Sequence, residues 1–532
     1  MTGNTSLDMR DRAALARVLD HETFDLLIIG GGITGAGIAR DAAMRGLNVV
    51  LIEASDFASG TSSRSSKLVH GGLRYLAQGE LALVTEAATE RSILRNIAPH
   101  LAQPMPFVIP ATSKFALAKW RTALWTYEKL GRVPPDERHL VWNKTELQDN
   151  EPCLDVAALS GAVVYAECLT EDTRLTLANL RSAAAAGATI TNYTSVIEIM
   201  FHGGRATAVK VRDHFTDVET IVNAQVIVNA TGPWVDAVRK LEDPQTSVRL
   251  QLTAGIHLVV PHAKLPVQRT ILMVAADKRL IFAIPKDGIT YIGTTDTFYA
   301  DTDYWPRIAA ADVEYLLAAA NKAIRTGRVE PADITAAWAG IRPLVSQPGK
   351  SPSEISRRDE VWEGAGGILS IAGGKLTAYR RMAARVVDNV QSRMGHRPTV
   401  CRTDQATLVG GARPLDQLRA ELQQLGVQAK AIDRMVRLYG DEAPAVAAQG
   451  DGIAAEVHHA VIHEGAVCLE DYWVRRSLRA WFSPSDSDAD LERAASAMAE
   501  LMDWDAGEKA AEIQQCRDLH HAAMAWRDKT TA

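Results

Sequence analysis

The sequence predicts an α/β fold. It combines a parallel-sheet nucleotide-binding domain built from separated stretches of chain, an antiparallel-sheet domain inserted between them, and a helical domain at the end. Three observations predict it. Residues Asp25 to Glu53 run strand, glycine turn, helix, strand and acid. Short β-branched runs alternate with turns from Leu250 to Thr297, an antiparallel signature. Beyond Gly410-Gly411-Ala412-Arg413-Pro414 the chain is helix-rich, with no strand of note.

The first strand is Asp25 to Ile29 and the turn is Gly30-Gly31-Gly32-Ile33-Thr34-Gly35. Glycines at 30, 32 and 35 fit G-x-G-x-x-G: the first allows a tight turn, the second lets a pyrophosphate approach the backbone, and the third lets the helix pack on the sheet. The helix from Ile33 to Arg45 aims its N-terminal amides at the phosphates. The run Val49 to Ile52 ends at Glu53, whose carboxylate suits a ribose 2′-OH. The glycine string alone recurs by chance in loops. With strand, helix and acid in place it reads as a dinucleotide site, without choosing between FAD and NAD(P).

A Ser/Thr-rich stretch follows, Ser59 to Lys67, leading into Leu68-Val69-His70-Gly71-Gly72-Leu73-Arg74-Tyr75. Residues 80 to 98 have helical composition, Leu175 to Ala186 reads as a helix, and Ala188 to Met200 as strand. Ala224 to Asn229 is an apolar strand ending in Ala230-Thr231-Gly232-Pro233-Trp234, and Ile368 to Ile371 is another, followed by Ala372-Gly373-Gly374 and a helix from Lys375. The nucleotide domain is thus assigned to 20–75, 155–235 and 335–400, the inserted cap to 76–154 and 236–334, and the helical domain to 405–532. A nicotinamide dehydrogenase usually keeps its cofactor domain contiguous, so the interleaving favours a flavin. Gly364-Ala365-Gly366-Gly367 lacks both the third glycine and a preceding strand, so a second dinucleotide domain is not expected.

The chain has 532 residues, 47% of them hydrophobic and 23% charged, enough for a sizeable core. A formal net charge of -6 argues against nucleic acid as the main partner. The five cysteines are scattered with no C-x-x-C, which suits a reducing compartment, and no His, Cys and Asp cluster suggests a metal. Met1 to His21 mixes acids and bases without an apolar centre, unlike a signal peptide, and no apolar run reaches the ~18 residues of a spanning helix. A cytoplasmic protein, free or on a membrane face, is expected.

Several strings resemble FAD-dependent, aerobic-type glycerol-3-phosphate dehydrogenases. They are Gly30 to Gly35 with Glu53, Thr61-Ser62-Ser63 to Ser66-Lys67, His70 to Tyr75, Asn229 to Trp234, Gly293-Thr294-Thr295-Asp296, Gly340 to Leu344, Ile355-Ser356-Arg357 and Gly373 to Arg380. The resemblance runs from about Phe24 to Arg380 and continues weakly to Asp471-Tyr472-Trp473-Val474-Arg475-Arg476, similar to the family's late arginine motif. It implies an FAD-binding fold of the glutathione reductase and D-amino-acid oxidase type, with an antiparallel-sheet substrate domain and an α-helical C-terminal domain.

The cofactor contacts it implies are Gly30, Gly32, Ile33, Thr34, Gly35, Glu53, Ala54, Thr61, Ser62, Ser66, Lys67, Leu68, Val196, Thr231, Gly232, Gly374, Lys375, Leu376 and Thr377. Its implied substrate, glycerol 3-phosphate, is a dianion with a secondary alcohol. Binding it needs fixed cations, for which an arginine fork is suited, and oxidising it needs a base. Arg74, Arg342, Arg357 and Lys375 match the family's substrate site, with Arg358 an alternative to Arg357 and Tyr75 either orienting substrate or packing. His70, beside the glycine pair, and His257, in a strand-like run, compete as base; proton loss assisted by Arg342 is a third route.

The family typically passes electrons to a membrane quinone, with a sister branch using oxygen and releasing hydrogen peroxide. Ala111 to Arg132 carries Lys114, Lys119, Arg121, Lys129 and Arg132 against Glu128 alone, with Leu117, Trp120, Leu124 and Tyr127 on one helical face. Such a helix suits peripheral attachment to the inner face of an anionic membrane, and equally a helix packed on its own domain with a solvated basic side. A quinone acceptor and inner-membrane attachment are therefore expected. A homodimer is left open, and a non-catalytic flavin-binding regulator is the reading from another class.

Overall fold

The structure is a computed structural model that describes residues 5–72, 80–131, 133–325, 327–347, 349, 355, 358–450, 452–483 and 487–529. Its first sheet has five parallel strands in the order Leu369–Ala372, Glu219–Asn229, Thr23–Ile29, Val49–Ile52 and Thr189–Thr191. Glu360–Glu363 runs antiparallel on one edge, and the Thr194–His202 and Arg205–Asp213 strands hang from Glu219–Asn229. Leu26, Leu27 and Ile28 are fully buried, as expected of a strand covered on both faces. Each such side chain contributes about 1.5–3 kcal/mol.

The helix Ile33–Met44 lies against this sheet and between the helices Asp172–Ala185 and Tyr379–Arg393. Gly35 makes the close approach possible, since a Cβ there would sit 1.9 Å from the Gly30 carbonyl oxygen. Gly30 itself has φ of +112°, a conformation glycine adopts without steric cost.

The second sheet has ten strands. Leu250–Pro261 pairs antiparallel with Ile289–Gly293 and Ala336–Val345, and Gln103–Ala111 pairs antiparallel with Gly161–Leu169. This corrects two boundaries. Gly161–Leu169 and Ala336–Val345, assigned from sequence to nucleotide-domain segments beginning at 155 and 335, are strands of the cap sheet. The chain returns to the nucleotide domain only after each has crossed the cap. Ala188 to Met200 is also two strands rather than one, broken at Tyr193 with φ of +49°.

From Leu415 onward the described residues are helical, up to Ala506–Met524 and a final 3-10 turn. This domain docks through buried ion pairs. Arg174 donates to both oxygens of Glu464 at 2.6 and 2.5 Å, and Arg475 and Arg476 converge on Asp56.

The helix predicted between Ala111 and Arg132 is Lys114–Gly131. Its apolar stripe faces inward: Leu124 and Tyr127 are buried, with Leu117 and Trp120 packed against the same core. That stripe is the packing face and not a membrane face. What the helix shows to solvent is Phe115, 80% exposed, and Trp125, 57% exposed, among Lys114, Lys119, Arg121 and Lys129.

Candidate active site

Four successive parallel strands deliver the cofactor candidates at their carboxyl ends. Leu369–Ala372 leads into Gly373-Gly374, Glu219–Asn229 into Thr231-Gly232, Thr23–Ile29 into Gly30 to Gly32, and Val49–Ile52 into Glu53-Ala54. The crevice outside the carboxyl ends of an open parallel sheet is where such folds bind ligands. Gly32, Ile33, Thr34, Glu53, Thr231, Gly232, Gly374, Lys375 and Leu376 are all partly exposed along this edge, while Gly30, Gly35 and Thr377 are buried beneath it and Ala54 is exposed at its end.

The residues fit a dinucleotide. The first-turn amides of Ile33–Met44 lack intrahelical acceptors, and Ser62 Oγ accepts from the Ile33 amide at 2.9 Å, fixing the polar loop over that helix start. Glu53 accepts from the Gly31 amide at 2.6 Å and the Ser55 amide at 2.8 Å, which holds its carboxylate at the strand end. Burial raises the Glu53 pKa above its ordinary value, outweighing the two amides. A Cβ on Gly232, which has φ of +58°, would meet nothing within 4 Å, so this turn borders open space. The 3-10 turn Leu376–Ala378, with Lys375 at its cap, precedes the α-helix Tyr379–Arg393, so the helix predicted from Lys375 opens one turn later. Val196 lies at an irregularity in the Thr194–His202 strand and is partly buried.

Lys67 is a correction. Its ammonium makes a fully buried pair with Asp172 at 2.6 Å and donates to the Ser63 carbonyl at 3.0 Å. Its amide donates to Ser65 Oγ and its carbonyl accepts from Thr170, so its polar groups are engaged in holding the loop's shape. Leu68 continues as a two-residue strand with Val69 on the cap sheet, and its side chain is buried. Thr61 Oγ donates to the Ile341 carbonyl at 2.5 Å, tying the same loop to the neighbour of Arg342.

His70 is partly exposed, and its backbone amide and carbonyl both meet Thr377 Oγ at 3.2 Å, so the loop and the turn after Lys375 are joined. The glycine after it is required: a Cβ on Gly71 would sit 2.0 Å from the Tyr127 hydroxyl, and the Gly71 amide donates to Glu167. His257, by contrast, is 1% exposed and stacks on Trp338 with ring centroids 4.8 Å apart. Its Nε2 lies 2.8 Å from Ser66 Oγ. Burial, aided by the charges of Arg342 and Lys67, holds its pKa well below the ordinary 6.5, so it is neutral.

Arg342 projects from the Ala336–Val345 strand, with Nη1 donating to Asp296 at 3.2 Å and Nη2 to Thr294 at 3.0 Å. Arg358 pairs with Glu80 at 3.3 Å on a largely exposed side chain. Arg74, Tyr75 and Arg357 lie outside the described residues. The structure thus brings Ser66 to His257, His70 to Thr377 and Arg342 to the loop at Thr61. Sequence reasoning quoted Asp296 within a motif and gave it no role; it passed over Asp172 altogether.

Residues 25–380 match the family model described as FAD dependent oxidoreductase, and residues 401–509 match the C-terminal domain of alpha-glycerophosphate oxidase. The chain is 35% identical over 98% of its length to the aerobic glycerol-3-phosphate dehydrogenase of Bacillus subtilis (strain 168), covering 99% of that protein. It is 37% identical to that of Staphylococcus aureus (strain USA300), covering 93% of each. The chain belongs to the aerobic glycerol-3-phosphate dehydrogenase family. Among solved structures, the FAD complex of the Bacillus halodurans glycerol-3-phosphate dehydrogenase superposes on this family member with a TM-score of 0.82 at 32% identity, over 97% of this chain and 98% of that one. The L-alpha-glycerophosphate oxidase of Mycoplasma pneumoniae, at 16% identity and a TM-score of 0.55, shares the fold. The expected family, FAD-binding fold and flavin cofactor therefore hold, and the protein is an FAD-dependent oxidoreductase.

Proposed function

We propose that this enzyme oxidises sn-glycerol 3-phosphate to dihydroxyacetone phosphate and passes the electrons to a membrane quinone. The observation that carries the substrate reading is Arg342, an arginine fixed by two side chains beside the loop that covers the glycine turn. An oriented guanidinium suits a phosphate dianion because its planar fork donates two parallel hydrogen bonds. Lys375, at the cap of the turn following Gly374, adds a second cation on the same edge. Bound FAD supplies the hydride acceptor.

His70 takes the hydroxyl proton. It is the partly exposed residue of the two candidates, whereas His257 is enclosed and acts through Ser66, holding that hydroxyl in place. Glu53 faces the adenosine ribose from the second strand end. Substrate contacts at Arg74, Tyr75 and Arg357 belong to the same reading by family resemblance.

Quinone reduction places the enzyme against the inner membrane, with the Lys114–Gly131 helix as its contact. The exposed Phe115 and Trp125 insert while the surrounding lysines and Arg121 meet anionic headgroups. No helix among the described residues is long and apolar enough to cross a membrane. Anaerobic addition of glycerol 3-phosphate to the holoenzyme tests the reaction: the bound flavin bleaches, and an unbleached spectrum overturns the proposal. A quinone dye then reoxidises it faster than air does; rapid peroxide release under air would replace the quinone half with an oxidase.

A further inference from the structure

Arg342 is the only residue on the Ala336–Val345 strand to which the reading above gives a catalytic task, and an arginine on a strand is a long, flexible side chain. Holding it in one conformation costs rotamer entropy. Two side chains of the 294–296 link that follows the Ile289–Gly293 strand, and one glycine of the Leu250–Pro261 strand, hold it. Asp296, with its side chain 8% exposed, accepts from Nη1 at 3.2 Å. Thr294 accepts from Nη2 at 3.0 Å. Gly255, two residues along from Thr253, which lies opposite Arg342, leaves the space the guanidinium occupies: a Cβ there would lie 2.1 Å from Nη2.

We infer that Asp296 and Thr294 are positioning residues that fix the plane of the Arg342 guanidinium for a phosphate, in a slot that Gly255 keeps open. The inference rests on the proposed function and deepens it. Oδ1 of Asp296 accepts from Nη1 and Oγ1 of Thr294 from Nη2, so the guanidinium is gripped at two of its nitrogens. A carboxylate beside an anion site weakens anion binding by charge alone. Its presence is explained by orientation, since a misaligned fork forfeits the bidentate geometry on which the arginine's advantage depends.

Orientation and charge predict opposite results, which makes the test decisive. Asp296→Ala removes the acceptor and the charge together. Asp296→Asn keeps a carbonyl acceptor and removes only the charge. On the holoenzyme, KM for glycerol 3-phosphate and the inhibition constant of inorganic phosphate are measured for both, with flavin content and the visible spectrum as controls. Positioning predicts that Asp296→Ala raises both constants about tenfold while Asp296→Asn stays near wild type and flavin content is unchanged. Gly255→Ala, which displaces the guanidinium from the other side, raises the same two constants. If both Asp296 variants bind phosphate as tightly as wild type or more tightly, or if they lose flavin in step with activity, the inference is overturned. A wild-type enzyme that glycerol 3-phosphate fails to bleach overturns the proposed function instead, so the two failures are distinguishable.

Discussion

Asp56 and Arg476 meet in a fully buried pair 420 residues apart in sequence, with Nη2 donating to Oδ1 at 2.7 Å and Nη1 to Oδ2. Arg475 binds the same carboxylate through Nε and reaches Glu470 and Asp471 with its other nitrogens. Burial alone would raise the Asp56 pKa, but Arg476 and Arg475 overcome it and hold the carboxyl below its ordinary value. The pair joins the helical domain to the chain three residues beyond Glu53, at the end of the second nucleotide-domain strand.

Asp56→Asn therefore leaves two enclosed guanidiniums without their shared counter-charge. Removing one partner of a buried pair costs about 3–5 kcal/mol, and the loop from Glu53 loses its anchor. Denaturant midpoint and flavin retention should fall together. An unchanged midpoint would refute the anchor.

Gly35→Ala puts a methyl 1.9 Å from the Gly30 carbonyl, a backbone atom of the turn itself. The variant should purify without flavin if it folds at all. Gly452→Ala is the control, because a Cβ there meets nothing within 4 Å. Equal flavin content in the two proteins would contradict the close-approach argument.

Arg342→Ala removes the oriented fork while leaving the strand ends that hold the cofactor. It should lower kcat/KM for glycerol 3-phosphate roughly 30-fold or more, the consequence of truncating one side of a buried charged contact. Flavin content should stay near wild type. Parallel loss of both would mark Arg342 as structural.

Two imidazoles make stability depend on pH. His257 is held well below 6.5 by burial and by Arg342 and Lys67, and His100 is pushed down to about 3 by burial and the charge of Arg174. In the unfolded chain both take a proton as pH falls through 6.5, while the folded protein stays neutral there. Stability is thus retained above that pH and lost below it, each histidine adding up to about 1.4 kcal/mol per pH unit. Unfolding midpoints between pH 7.5 and 5 should show the decline, and His100→Asn should flatten it. An identical slope in the variant would remove His100 from the account.

Phe115→Ser with Trp125→Ser should weaken sedimentation with anionic vesicles while leaving soluble-dye activity intact, because both rings are exposed and Trp125 lies beneath the Lys129 ammonium on the outer face of the helix. Undiminished sedimentation would move the contact to another face.

The nucleotide domain was legible because its signals are local. A β-branched run, a glycine triplet at fixed spacing and an acid at a strand end all lie between Asp25 and Glu53. The strand carrying Arg342 was misassigned for the opposite reason: Ala336–Val345 reads as buried β wherever it pairs, and only its partner Leu250–Pro261 places it in the cap. Lys67 and Asp172 are 105 residues apart, and nothing at either position announces the other. The stripe Leu117, Trp120, Leu124 and Tyr127 was read correctly as periodic; periodicity identifies a helix's packing side, and the isolated Phe115 and Trp125 on the far side obey no period.

The span between Asp56 and Arg476 also has a meaning in time. At about 5–20 residues per second on the ribosome, roughly 20 to 80 s separate the emergence of the acid from that of its arginines. Throughout that interval the glycine turn exists without its far anchor. A nascent chain can form the strand and helix early, yet the loop beyond Glu53 gains this anchor only after Arg476 has emerged, which places stable cofactor loading after that point.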